Sequence, residues 1–120
     1  MLTLICGLPR AGKTTYSAQF PNVIHLDTSG AYRGVEHKIK SISGDIVVEG
    51  VYHKREQRER IIKAYGGDGF KCIWLNTPQE IRRTRRGWDK RCDFTFDPPT
   101  YSEGWDEIIV IGEDDGNIQS

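Results

Sequence analysis

Eight residues near the amino terminus have the types and spacing of a phosphate-binding loop. Residues 7–14, GLPRAGKT, fit the pattern G-x-x-x-x-G-K-[ST]. Gly7 and Gly12 allow backbone angles that a β-carbon forbids, so successive amide N–H groups can surround a phosphate. Lys13 can place its charge near β- and γ-phosphate oxygens, as a binding and catalytic residue, and the Thr14 hydroxyl can bind Mg²⁺. The pattern predicts a nucleoside triphosphate site with contacts from Gly7, Leu8, Pro9, Arg10, Ala11, Gly12, Lys13, Thr14 and Thr15.

The surroundings of this loop are those that the motif requires. Residues 2–6 form a short apolar run that predicts a strand, and residues 14–20 predict a helix directly after the loop. The amino end of such a helix directs the positive end of its dipole at a bound anion. The strand–loop–helix order therefore supports the phosphate-site interpretation.

The rest of the chain alternates between strand-like and helix-like segments. Apolar runs predict strands at 2–6, 23–26, 46–49, 70–75 and 108–111. Intervening patterns predict helices at 14–20, 31–41 and 53–64 and another that starts near Pro78. This alternation is typical of α/β proteins with a parallel sheet. We therefore predict a three-layer P-loop NTPase fold, with a mostly parallel five-stranded sheet flanked by helices and a short basic lid.

Two acidic residues, Asp27 and Glu49, lie at the ends of predicted strands, at the edge where ligands bind in such folds. Asp27 could accept the proton of an attacking hydroxyl as a general base, or hold Mg²⁺ through water. It could equally cap a loop or helix. Glu49 occupies a place like that of the Walker B acid, where it could fix metal or substrate. Its alternative role is a strand-end charge paired with nearby arginines.

Arg33 and Tyr52 follow these two acidic strand ends and could contact a substrate. The guanidinium of Arg33 suits phosphate recognition, because its donors form a planar fork. Both residues could also be ordinary surface residues. His25, His37 and His53 show no metal-ligand spacing.

A basic block at 82–91 holds one acidic residue and has three interpretations. It could close over the triphosphate as a lid, neutralise a nucleic-acid backbone, or form a solvated basic helix. We favour the lid, with Arg82 on the nucleotide and Arg86 on the phosphoryl group that is transferred.

Composition limits the class of protein. The chain has 120 residues, with 17 basic and 17 acidic side chains, so its formal net charge is zero and any nucleic-acid surface must be local. Three widely spaced cysteines suggest neither a disulfide framework nor a zinc motif. We expect one domain over 1–120 with a frayed tail at 112–120, no signal peptide, a cytoplasmic location and no membrane partner. The oligomeric state stays open.

The chain resembles the small P-loop kinases of the 5′-hydroxyl polynucleotide kinase group, which have an adenylate-kinase-like core. The resemblance involves the loop at 7–14, Asp27 followed by Tyr32-Arg33, VVEG at 47–50 before an Arg-rich helix, and LNTPQE at 75–80 leading to Arg86-Gly87. FDPPTYSEGWDEI at 96–108 also looks like the end of such a kinase domain.

This resemblance implies Mg²⁺ and ATP as cofactors and transfer of the γ-phosphoryl group to a hydroxyl. It also implies that Asp27 is the base, that Arg33 contacts a substrate phosphate and that a lid arginine stabilises the transition state. The acceptor would be the 5′-hydroxyl of a DNA or RNA end. Alternatives are a nucleoside, nucleotide or metabolite as acceptor, or a nucleotide-binding module without catalysis.

Overall fold

A five-stranded sheet lies at the centre of the molecule. The computed structural model describes residues 1–25 and 32–112. The strands are β1 (Leu2–Cys6), β2 (Val23–His25), β3 (Ile46–Gly50), β4 (Phe70–Leu75) and β5 (Glu107–Ile111). Their order is β2-β3-β1-β4-β5, and all four neighbouring pairs are parallel. The predicted parallel sheet is confirmed.

Helical segments connect the strands, as parallel pairing requires. The helices are α1 (Lys13–Ser17), α2 (Tyr32–Ile39), α3 (Arg55–Ala64) and α4 (Gln79–Arg82). Two short 3-10 helices, Lys90–Cys92 and Tyr101–Glu103, lie between α4 and β5. None of the helices within 1–25 and 32–112 is long and apolar enough to cross a membrane.

The sheet is covered on both faces, because successive side chains of a strand point to opposite sides. Leu4 of β1 packs in a buried cluster with Ile39 of α2 and Ile61 of α3. Ile5, the next residue, belongs to a second cluster, against which Tyr16 of α1 packs. Helices thus lie on either side of the sheet, which gives the predicted three layers.

Some predicted boundaries differ from the structure. The first helix was predicted at 14–20, but α1 ends at Ser17, and Phe20 N donates to Ser17 O at 2.9 Å in a tighter turn. Pro21 prevents the helix from continuing past this turn, since a proline lacks the backbone N–H and disfavours the helical conformation of Phe20 before it. The third helix was predicted from 53, but it begins at Arg55, because Tyr52 has a positive φ of 43° and Lys54 is extended.

A buried ion pair fastens α3 to the chain segment that leads into β5. Arg58 and Glu103 have side chains 0% and 1% exposed, and two hydrogen bonds of 2.8 and 2.9 Å join them. Arg58 Nη1 also donates to the Tyr52 carbonyl at 2.8 Å, and Trp105 Nε1 donates to Glu103 at 2.9 Å. The pair therefore holds the carboxyl-terminal part of the described chain against the turn after β3.

Candidate nucleotide-binding site

A cleft of about 790 Å³ opens at the carboxyl ends of the strands. Residues 9–16 of the loop and α1 form one wall, and Glu49 of β3, Thr77 after β4, Arg86 and Ile111 contribute to the others. This volume lies within the usual range for small-molecule sites. Most of the predicted nucleotide contacts, from Pro9 to Thr15, therefore line one cleft.

Both glycines of the motif have a geometric reason to be glycine. Gly12 precedes α1 with a φ of 102°, in the left-handed region that side chains disfavour. Gly7 lies against the end of β4, where an added β-carbon would be 2.8 Å from the Leu75 carbonyl oxygen. The loop can follow its path only with residues that lack a side chain at these two positions.

Lys13 folds back over the loop. Its Nζ donates to the carbonyl oxygens of Gly7 and Leu8 at 2.9 and 3.0 Å. Burial disfavours the charged form and lowers the Lys13 pKa from 10.5 to about 8, although the nearby Glu49 carboxylate acts in the opposite direction. A phosphate in the loop would give this poorly solvated ammonium an additional negative charge close to it.

Thr14 and Glu49 are joined directly. Thr14 Oγ1 donates to Glu49 Oε1 at 3.2 Å, and the Glu49 residue is only 5% exposed. His25 Nδ1 lies 3.2 Å from the same carboxylate oxygen. β3 is a neighbour of both β1 and β2, so one carboxylate at its end can reach the loop helix and the end of β2.

The donor set at this point fits Mg²⁺. A hydroxyl and a carboxylate are hard oxygen ligands, and protein Mg²⁺ sites commonly use one or two side chains together with substrate phosphates. Because the Thr14 hydroxyl donates its hydrogen bond to Glu49, the lone pairs of the Thr14 oxygen stay available to a cation. Thr14 and Glu49 are the residues that would hold the ion, directly or through water.

The predicted lid is docked against the loop. Arg85 Nη1 donates to the Arg10 carbonyl at 2.7 Å. The guanidinium of Arg10 lies against Gly87, where an added β-carbon would be 2.7 Å from Nη2. Arg86 is exposed and contributes to the cleft wall. The basic segment therefore borders the cleft, as a lid would, and the catalytic role of Arg86 stays a prediction.

Arg82 is placed differently from Arg86. It is 4% exposed, and its guanidinium donates to Thr77 O at 3.0 Å and to Pro9 O at 3.4 Å. Arg82 also forms an ion pair with Asp93 at 2.6 Å. It is not among the described residues that line the cleft. The geometry gives Arg82 a supporting contact with the loop backbone, and its predicted contact with a nucleotide stays a prediction.

Thr77 is a site residue to which the sequence analysis assigned no role of its own. Its hydroxyl donates to the Ala11 carbonyl at 2.7 Å, in a buried position. Its place two residues after β4, at the ligand edge of the sheet, was the signal that could have revealed it. His25 was also passed over, and its place near the end of the predicted strand 23–26 was the corresponding signal.

The remaining predicted residues do not meet at the cleft in the described structure. Arg33 is exposed in the first turn of α2, and Tyr52 is fully buried, with its ring edge-on to Tyr32 at 5.0 Å. Burial raises the pKa of Tyr52 well above its ordinary value. Asp27, the predicted base, lies outside the described residues. The substrate and base assignments of these three residues stay predictions.

Comparisons with known proteins establish the fold. No protein-family model and no curated protein matches the chain. The structure is similar to that of an unliganded sugar kinase from Janibacter sp. HTCC2649, with a TM-score of 0.66 and 12% sequence identity over 92% of this chain and 84% of that one. It is also similar to APE1195, with a TM-score of 0.55 and 19% identity over 91% of this chain and 83% of that one. The predicted three-layer α/β fold class is thereby confirmed.

Proposed function

We propose that this chain is an ATP-dependent phosphotransferase that uses Mg²⁺ and transfers the γ-phosphoryl group to a hydroxyl. The observation that carries the proposal is the meeting of Lys13, Thr14 and Glu49 at one cleft bordered by a basic segment. Phosphoryl transfer depends mainly on positioning and on stabilisation of charge, and these side chains can provide both. The fold it shares with a protein described as a sugar kinase supports the same reaction class.

In the proposed reaction the acceptor oxygen forms a bond to the γ-phosphorus while the bond to the β–γ bridging oxygen breaks. ADP leaves, and the hydroxyl proton passes to a base, for which Asp27 is the candidate. Lys13 binds the β- and γ-phosphate oxygens, and Arg86 stabilises the charge that develops on the group in transfer. Mg²⁺ held by Thr14 and Glu49 would supply neutralisation of the phosphate charge.

As acceptor we propose the 5′-hydroxyl of a DNA or RNA end. The resemblance of the sequence to polynucleotide kinases supports this choice, and so does the basic segment beside the cleft, with Arg85 and Arg86 in its wall. Arg33, exposed in α2, is the candidate contact for a phosphate of the acceptor strand.

A small-molecule hydroxyl is the second candidate acceptor. The zero formal net charge of the chain gives a polyanion no general attraction, which favours a nucleoside, nucleotide or other metabolite. The neighbour of similar fold from Janibacter is described as a sugar kinase, which supports the same alternative.

The test is a transfer assay with γ-labelled ATP and Mg²⁺. Oligonucleotides with 5′-hydroxyl ends, nucleosides, nucleotides and sugars are offered in parallel, with Lys13→Met as the inactive control. We expect label in the oligonucleotides and weaker oligonucleotide binding as salt is added, since phosphate contacts release counterions. Label only in small acceptors would overturn the polynucleotide proposal. ATP binding without label in any acceptor would leave a nucleotide-binding module and overturn the kinase proposal.

A further inference from the structure

We infer that His25 is a positioning residue of the nucleotide site, which fixes Glu49 so that the carboxylate can hold the Thr14 hydroxyl. The inference rests on the proposed function, because it concerns the same Mg²⁺-nucleotide site. It adds a residue whose side chain lies outside the phosphate loop and which no motif in the sequence indicated.

His25 and Glu49 lie side by side on neighbouring strands, and Thr14 lies in the helix that follows the next strand of the sheet. β2, β3 and β1 are adjacent in the sheet, and His25 lies directly opposite Glu49 in the register of β2 and β3. On its other side Glu49 is opposite Ile5 of β1, the strand that runs into the phosphate loop. The carboxylate of Glu49 is therefore held between the end of β2 and the helix that follows the loop.

The direction of the hydrogen bonds follows from the groups involved. A carboxylate has acceptors and no donor, so His25 Nδ1 must carry a proton in the 3.2 Å contact with Glu49 Oε1. The same oxygen accepts the Thr14 hydroxyl proton at 3.2 Å. Glu49 Oε1 thus accepts two hydrogen bonds, one from α1 and one from the end of β2, which restricts the carboxylate to one orientation and turns the Thr14 lone pairs away from it.

The hydrogen bond from His25 matters because the Glu49 carboxylate is buried. Glu49 has a side chain 7% exposed, whereas the His25 side chain is 54% exposed. A buried carboxylate depends on its protein partners, because water reaches it poorly. Loss of the His25 donor leaves Oε1 with Thr14 as its hydrogen-bond partner among the described residues and frees the carboxylate to rotate. Partners that orient metal-site ligands in this way commonly contribute about 10- to 100-fold to metal affinity.

The test measures binding of a fluorescent methylanthraniloyl-ATP with Mg²⁺ and with EDTA. The dissociation constant in EDTA divided by that in Mg²⁺ gives, for each variant, the gain in nucleotide affinity that Mg²⁺ provides. We expect His25→Ala and His25→Gln to reduce this gain about 10-fold, the low end of the usual range because His25 is half exposed. We expect His25→Asn to retain most of the gain from Mg²⁺, since the asparagine amide nitrogen can occupy the place of Nδ1. His37→Ala, an exposed histidine of α2, is the control and should leave the gain unchanged.

The outcomes separate a positioning role from a structural one. A gain in His25→Ala equal to that of the wild type, or equal gains in His25→Asn and His25→Gln, would overturn the inference. If His25→Ala does not fold, the comparison of His25→Asn with His25→Gln still decides whether His25 positions Glu49. The kinase proposal fails separately, when wild-type protein binds Mg²⁺-ATP but labels no hydroxyl.

Discussion

Thr77 and Ala11 are joined by a buried hydrogen bond that ties the end of β4 to the phosphate loop. The Thr77 hydroxyl donates to the Ala11 carbonyl at 2.7 Å, and Thr77 is 7% exposed. Arg82 donates to the carbonyl of Pro9, two residues earlier. The loop is therefore held in shape by side chains from the segment after β4, which also continues into the basic segment at 82–91.

We expect Thr77→Val to weaken both folding and nucleotide binding. Valine keeps the volume but leaves the Ala11 carbonyl without this donor, which costs about 1–3 kcal/mol of unfolding free energy. ATP affinity should fall several-fold, because the loop loses its fixed shape. Urea unfolding and fluorescent ATP titration measure the two effects. Thr77→Ser keeps the hydroxyl and should retain the wild-type ATP affinity; a serine variant as impaired as the valine variant would contradict the hydrogen-bond explanation.

Lys13→Met should separate function from stability. The buried ammonium of Lys13 is poorly solvated, as its pKa of about 8 indicates, so an apolar side chain of similar length removes an unfavourable charge. We expect the unfolding free energy to change by less than about 1 kcal/mol, because removal of the buried charge offsets the hydrogen bonds that the Gly7 and Leu8 carbonyls lose. ATP affinity should fall at least 10-fold, roughly the value of one charge-assisted hydrogen bond. Urea unfolding and isothermal titration check the two parts. A variant that loses stability and binding together would contradict this account of the ligand-free site.

Arg86 and Arg83 provide a matched pair for the lid hypothesis. Both are exposed in the basic segment, but Arg86 lines the cleft and Arg83 does not. If Arg86 stabilises the transferring phosphoryl group, Arg86→Ala should lower kcat on the order of 10³-fold with little change in ATP affinity. Arg83→Ala should leave kcat within about two-fold of wild type. Steady-state transfer assays check both variants, and equal losses in the two would show that the segment acts only through its overall charge.

The sequence predicted those features that depend on local patterns. The pattern that predicts phosphate binding occupies eight consecutive residues, and the β4 prediction of 70–75 matches the structure because apolar runs mark buried parallel strands. The place of Glu49 beside the loop followed from a general rule about strand ends. In each case the information lay within one segment or one topological rule.

Contacts between distant segments were not predictable in this way. Arg58 lies in a helix dense with charges and resembles a solvated residue in sequence, yet its partner Glu103 is 45 residues away and both are buried. The arginines of the basic segment at 82–91 also carry no local pattern that tells a buried one from an exposed one. Only the packing of α4 against the loop distinguishes the buried Arg82 from the exposed Arg86.

The Arg58–Glu103 pair gives a stability prediction. Glu103→Gln leaves the Arg58 charge buried without its counter-ion, which typically costs about 3–5 kcal/mol. Glu59→Gln is the matched control, because Glu59 pairs with Arg55 on the surface, with side chains 37% and 43% exposed. That change should cost at most about 0.5 kcal/mol. Urea unfolding at neutral pH measures both, and similar losses in the two variants would contradict the importance of burial.

The same pair predicts a pH dependence of stability. Burial alone raises the pKa of Glu103, but the hydrogen bonds from Arg58 and Trp105 outweigh it and hold that pKa below its ordinary value. Because the folded state binds the proton less readily than the unfolded state, the stabilisation is complete above the unfolded pKa of about 4.3. It is lost as the pH falls through the lower folded pKa. We therefore expect the difference in unfolding free energy between wild type and Glu103→Gln to be constant from pH 7 to about 5 and to shrink towards pH 3.

Urea unfolding at fixed ionic strength checks this pH dependence, since contributions from other carboxylates cancel in the difference between the two proteins. A difference that does not change over this range would mean that the Glu103 carboxylate has the same proton affinity in the folded and unfolded chains.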